Sequence, residues 1–272
     1  GWPIFIPIRF QFQELSIMPI TVVTGSASGI GAAVVKSLQA SGHRVIGVDR
    51  QQADVVADLS SAEGRASAVA RIRSLADEAI DGLVCCAGLG VTAPSCGLII
   101  SVNYFGMVEL VEGLADLLGK GNKPAVLLVG SVASVQPGAD QAPMVPSMLA
   151  GDEERSVEQA NQLGNPAAAY AASKYAVTAW ARAKAVEWGG KGIRLNVVAP
   201  GAVETPLHRQ SLDDPRFGQA VRNFVAPLGR AGQPEEIATL ISFLQSEQAA
   251  FVHGTVVFID GGMDAMVRKG RF

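Results

Sequence analysis

From residue 20 onward the chain alternates short β-branched runs with longer helical ones, and this rhythm constrains the fold more than any other feature. Apolar runs at residues 20–23, 45–48, 55–57, 83–86, 125–129, 194–198 and 255–259 read as strands. Residues 30–40, 62–79, 102–118, 168–188 and 235–244 read as helices between them. Strands that are apolar almost throughout and separated by helices predict a parallel sheet covered on both faces. Right-handed crossovers then predict an α/β fold, a Rossmann-type doubly wound parallel sheet of about seven strands, with its ligand crevice at the carboxyl ends of the strands.

The chain has 272 residues, 49% of them hydrophobic and 17% charged, which suits one large core. A single dinucleotide-binding domain is therefore expected over residues 18–272. Residues 1–17 contain Pro3 and Pro7, show no clear period, and read as a leader foreign to the domain, with Met18 as the natural start. The net charge of −3 and the lack of a Lys/Arg run argue against a nucleic-acid partner. Cys85, Cys86 and Cys96 suit reduced thiols in the cytoplasm and lack zinc-ligand spacing, so no metal is expected. No long apolar run stands out, so no membrane span is expected. Two stretches break the rhythm, 136–166 and 205–229, both rich in proline. The first reads as an insertion with a short helix at 152–163, the second as a substrate loop.

Gly25, Gly29 and Gly31 follow the first strand and open a helix, with Ser28 and Ile30 between them. Glycines there let backbone N–H groups approach a pyrophosphate at a helix N-terminus. The alternative is a glycine-rich turn that only packs helix against strand. Asp49 ends the second strand, where a carboxylate accepts hydrogen bonds from ribose hydroxyls and repels a 2′-phosphate. NAD is therefore expected over NADP. Asp58 and Leu59 are expected to flank the adenine, with helix capping by Asp58 or Ser60 as the alternative.

Tyr170 and Lys174 lie one helical turn apart, on one face, and no other tyrosine has a lysine at this spacing. Oxidation of an alcohol removes a hydride and a proton. Tyr170 is suited to take the proton, with Lys174 favouring the phenolate and reaching the nicotinamide ribose. Ser131, at the end of the 125–129 strand, is placed to hold the substrate oxygen, and Asn103 to position a water behind Lys174. The plainer alternatives are a turn serine and a helix-capping asparagine. His43, His208 and His253 have no triad partner and read as surface or structural, and Met144, Met148 and Leu149 as packing residues.

With these residues in place, the chain resembles the short-chain dehydrogenases/reductases. The resemblance is carried by Thr24-Gly25-x3-Gly29-Ile30-Gly31, Ala87-Gly88, Asn103, Ser131, Tyr170-x3-Lys174, Pro200-Gly201-x3-Thr205 and Asp260-Gly261-Gly262, in the family's order. It implies that Ser131, Tyr170, Lys174 and Asn103 are catalytic. It also implies that Thr205 binds the nicotinamide amide near Pro200-Gly201, and that Ala87-Gly88 pass the adenosine ribose. Cys86 stands where the family has asparagine, which puts the bracing of neighbouring strands in question. A narrower resemblance, to bacterial 3α-hydroxysteroid dehydrogenases/carbonyl reductases, rests on Ser101–Gly106, the insertion, Leu212–Gly218 and the Asp260–Ala265 tail. It implies a small-molecule substrate, a steroid. The rival readings are a reductase of another small carbonyl or acyl-thioester, and a non-catalytic nucleotide sensor. Family members pair through the 102 and Tyr170 helices and through the last helix and strand. An insertion beside the first surface predicts a homodimer, with the insertion partly covering the substrate mouth.

Overall fold

The computed structural model describes residues 18–271; the leader lies outside them. Seven strands form one sheet: β1 (Ile20–Thr24), β2 (Arg44–Asp49), β3 (Val55–Val56), β4 (Gly82–Cys85), β5 (Ala125–Val129), β6 (Arg194–Pro200) and β7 (Val256–Ile259). All pairings are parallel, in the order β3-β2-β1-β4-β5-β6-β7. The order reverses between β1 and β4, and a crevice opens at the strand ends there.

The pleat explains why the strands are apolar on both sides. Val22, Leu83, Val126 and Leu128 face a core shared with the helices at Ala62–Leu75, Gly106–Gly113 and Pro166–Gly189. Val23, Val84 and Leu127 face the opposite core, under the helices at Gly29–Ala40 and Pro234–Gln245. Small residues line the buried face of the Tyr170 helix, among them Ala169, Ala172, Ala176 and Ala181. Asn165 caps its N-terminus by accepting from the Ala168 N–H, and Pro166 occupies the first turn.

The helix after β4 begins earlier than its apolar period implies. Ser95 caps it by accepting from the Leu98 N–H, and it runs from Cys96 through a π-helical turn at Ser101–Phe105 into Gly106–Gly113. Asn103 therefore does not open this helix; it sits in the π turn within it. Gly97 disguises the start, because glycine reads as a turn. A Cβ on Gly97 would lie 2.6 Å from a Val157 methyl, so glycine is what lets the insertion approach. The Cys96–Gly113 stretch is long and apolar enough to cross a membrane, contrary to expectation, but it is mostly buried within the fold.

The insertion forms helices at Val145–Leu149 and Glu153–Leu163. Asn161 accepts from the Gly97 N–H at 2.8 Å. Arg65, only 1% exposed, ion-pairs with Glu109 and with Glu153 of the insertion. The segment is thus clamped to the helices beside it. Met144 and Met148 are buried, whereas Leu149 is exposed, since the short helix turns it to solvent. Ser61, not Asp58 or Ser60, caps the following helix, accepting from the Gly64 N–H; Asp58 instead accepts from the Ser60 N–H.

Candidate active site

Two contiguous cavities occupy the crevice. The first, of about 300 Å³, lies over the first turn of the Gly29–Ala40 helix. Gly25, Ser28, Gly29, Ile30, Gly31, Asp49, Asp58, Leu59, Ala87, Gly88 and Thr205 all line it. Backbone crowding explains the glycines. Gly25 has φ +67°, and a Cβ there would meet the Ala87 nitrogen at 2.8 Å; one on Gly31 would meet the Gly25 carbonyl oxygen at 2.0 Å. The Thr24 hydroxyl accepts from the Ala87 N–H at 3.1 Å, so β1 and the end of β4 are tied together although Cys86 lacks an amide. Asp49 accepts from the Ala27 and Arg50 N–H groups, which fixes its carboxylate at the cleft edge. These features fit a dinucleotide: close-approach glycines, a helix N-terminus for phosphate, and a carboxylate at the end of β2 that can accept from ribose hydroxyls.

The second cavity, about 260 Å³, shares Ile30, Cys86, Gly88, Leu89, Thr205 and Leu207 with the first. Ser131, Tyr170, Lys174, Pro200 and Gly201 converge on it. Ser131 follows β5 and caps a short 3-10 turn by accepting from the Ala133 N–H. Lys174 is 5% exposed; its ammonium donates to the Val129 carbonyl at 2.9 Å and lies 5.8 Å from the centre of the Tyr170 ring. Burial lowers its pKa to about 8. Burial raises the Tyr170 phenol, while the hydrogen bond with Ser131 opposes the rise. The chain without a bound dinucleotide thus favours the neutral phenol. Burial also pushes the Cys86 thiol up to about 12, which disfavours the thiolate at its position between the cavities.

Asn103 lines neither cavity. It stands behind Gly88, where an added Cβ would lie 3.3 Å from Asn103 Oδ1 and 3.7 Å from Lys174 Nζ. Its amide is spent on the Leu89 backbone and the Ser173 hydroxyl. Thr205 is likewise engaged, capping the Pro206–Asp213 helix by accepting from the His208 N–H and donating to the Val203 carbonyl.

His208, expected to be surface or structural, lines the second cavity with Leu207, Ser211 and Val221. Its place on the face of the Thr205-capped helix that holds Leu207 and Ser211 was the available signal. No residue of 136–166 lines that cavity, whereas Leu207, His208, Ser211 and Val221 of the 205–229 segment do. His43 and His253 are structural: His43 pairs with Thr21, and His253 bridges the Leu195 N–H and the Ala185 carbonyl. Among the described residues no cluster of metal-ligating side chains occurs.

Comparison with known proteins places this geometry. Residues 19–144 match the family model described as short chain dehydrogenase, and residues 155–264 the one described as enoyl-(acyl carrier protein) reductase. A 3-alpha-hydroxysteroid dehydrogenase/carbonyl reductase of Comamonas testosteroni is 45% identical over 258 residues, covering 94% of this chain and 100% of that protein. The chain belongs to the short-chain dehydrogenase/reductase family. It is therefore an oxidoreductase. Among solved structures of this family, the 3-alpha-hydroxysteroid dehydrogenase of Pseudomonas sp. B-0831, complexed with NADH, superimposes with a TM-score of 0.92 at 56% identity. That match covers 93% of this chain and 100% of the other. A 3beta-hydroxysteroid dehydrogenase of Eggerthella lenta is 30% identical over 267 residues, covering 89% of this chain and 92% of that one.

Proposed function

We propose that this short-chain dehydrogenase/reductase interconverts a secondary alcohol and a ketone with NAD, acting on 3α-hydroxysteroids and 3-ketosteroids. The observation that carries the reading is the convergence of Ser131, Tyr170 and Lys174 on a cavity continuous with a glycine-walled cleft. Relatives named for 3α-hydroxysteroids, at 45% and 56% identity, support the substrate class. Asp49, and the NADH of the Pseudomonas relative, support NAD.

NAD supplies the acceptor and donor for hydride when bound in the cleft. The chain's residues handle the proton and the oxygen. Ser131 hydrogen-bonds the substrate oxygen. Tyr170 gives its phenolic proton to the forming alkoxide in reduction and takes it back, as phenolate, in oxidation. Lys174, beside the ring, offsets the phenolate charge. Asn103 holds the cleft wall behind Lys174. Leu89, Val91, Leu207 and Val221 give the second cavity apolar walls that suit a steroid ring system.

The reading extends to a cytoplasmic homodimer. Free thiols at Cys85, Cys86 and Cys96 support the compartment. The insertion, seated on the Cys96–Ile100 helix and held to Arg65, supports a single symmetric interface. The test is NAD reduction across 3α-, 3β- and 17β-hydroxysteroids and simple secondary alcohols. The 3α-hydroxysteroids should show the highest kcat/KM; equal turnover of all four classes refutes the substrate assignment.

A further inference from the structure

Ser173 has no part in the reading above, yet its hydroxyl stands at the junction of two parts of the site. It is fully buried, donates to the Tyr170 carbonyl at 2.7 Å and accepts from Asn103 Nδ2 at 3.2 Å. Asn103, also fully buried, donates from the same Nδ2 to the Leu89 carbonyl at 3.0 Å and accepts from the Leu89 N–H at 2.7 Å through Oδ1. Leu89 lines both cavities. An unbroken series of hydrogen bonds therefore runs from the wall shared by the cavities to the backbone carrying Tyr170. In an α-helix the Tyr170 carbonyl is also the acceptor for the Lys174 N–H, so the series ends on the turn that sets both side chains.

Packing alone does not call for a hydroxyl here. Ala169, Ala172 and Ala176 of the same helix are buried in the core beside it, and an alanine would continue that surface. A serine bonding back to its own helix weakens and bends the helix slightly. What the hydroxyl adds is the link to Asn103, and the π turn at Ser101–Phe105 is what brings Asn103 to it.

We infer that Ser173 is a positioning residue, which through Asn103 holds the Tyr170–Lys174 turn in register with the Leu89 wall of the cleft. Its hydroxyl keeps the phenol at the distance from the substrate oxygen that proton transfer needs. The inference rests on the reading of Tyr170 as the proton-transfer group. It does not give Ser173 any contact with substrate.

The test compares Ser173→Ala and Ser173→Cys with Ser156→Ala, using androsterone and NAD. Ser156 is an apt control, because it too is fully buried and bonds back to its own helix, at the Asp152 carbonyl, but within the insertion. Ser173→Ala should lower kcat about tenfold, the effect of about 1.4 kcal/mol in the barrier. KM for NAD should change less than about twofold, and the pH profile of kcat should move by about half a unit or more. Ser173→Cys, with a weaker donor of similar size, should fall between wild type and alanine. Ser156→Ala should leave kcat and its pH profile unchanged. Normal kcat and pH profile in Ser173→Ala, with only a lower melting temperature, overturns the inference. So does an equal loss of kcat in Ser156→Ala. Tyr170→Phe in the same assay separates the two layers. If it retains turnover, the reading of Tyr170 and the inference both fail; if it is inactive while Ser173→Ala is normal, only the inference fails.

Discussion

Lys174 should make the stability of the nucleotide-free protein depend on pH in a window set by its burial. The side chain is 5% exposed, and burial lowers its pKa from 10.5 to about 8. Below about pH 8 the lysine is protonated in folded and unfolded chains alike, so the fold carries the whole cost of a buried ammonium. Between about 8 and 10.5 the folded chain has released a proton that the unfolded chain still holds, so stability rises with pH. The difference between the two values, at about 1.36 kcal/mol per pKa unit, corresponds to about 3 kcal/mol. Lys174→Met keeps an unbranched stem and removes the titration. It also leaves the Val129 carbonyl without its partner, but that loss is nearly constant with pH. The Cys86 thiol, pushed up to about 12, stays neutral across the window. Urea unfolding of both proteins at several pH values isolates the effect. Wild type should gain on Lys174→Met by about 3 kcal/mol between about pH 7 and about pH 10.5. A stability difference that stays constant would refute the claim that burial depresses this lysine.

Replacing Asp49 with serine removes the carboxylate that opposes a 2′-phosphate, so the NADP-to-NAD ratio of kcat/KM should rise at least about tenfold. Gly31→Ala forces a Cβ toward the Gly25 carbonyl oxygen 2.0 Å away; titration calorimetry should find NAD binding weakened at least about tenfold. Arg65→Met leaves Glu109 and Glu153 facing each other without their guanidinium, and should cost about 3 kcal/mol in urea unfolding, with kcat retained.

The strand and helix rhythm specified the sheet because each parallel strand is buried on both faces and joined by a helix. The glycines of the first cleft and the Tyr170–Lys174 pair were equally legible, since each depends on a short local spacing. What escaped depends on distant partners. Gly97 hid the true start of its helix, because only the insertion packed against it explains a glycine there. Asn103 looked like a capping or water-holding residue, but its π turn and its bonds to Leu89 and Ser173 join segments far apart in sequence. Arg65 carried no signal as the anchor of the insertion, for its partners lie 44 and 88 residues away. His208 had no local motif, and only the fold of the 205–229 segment turns it to the second cavity.

Single-turnover kinetics of Tyr170→Phe test most directly the proposal that the Tyr170 phenol governs hydride transfer. Enzyme in excess, loaded with NAD, is mixed with androsterone, and NADH formation is followed by absorbance. The variant keeps the ring and the cleft, so NAD should bind within about twofold of wild type, while the transfer rate falls about 100-fold or more. A transfer rate within a few-fold of wild type, with NAD still bound, would contradict the assignment of Tyr170 as the group that moves the proton.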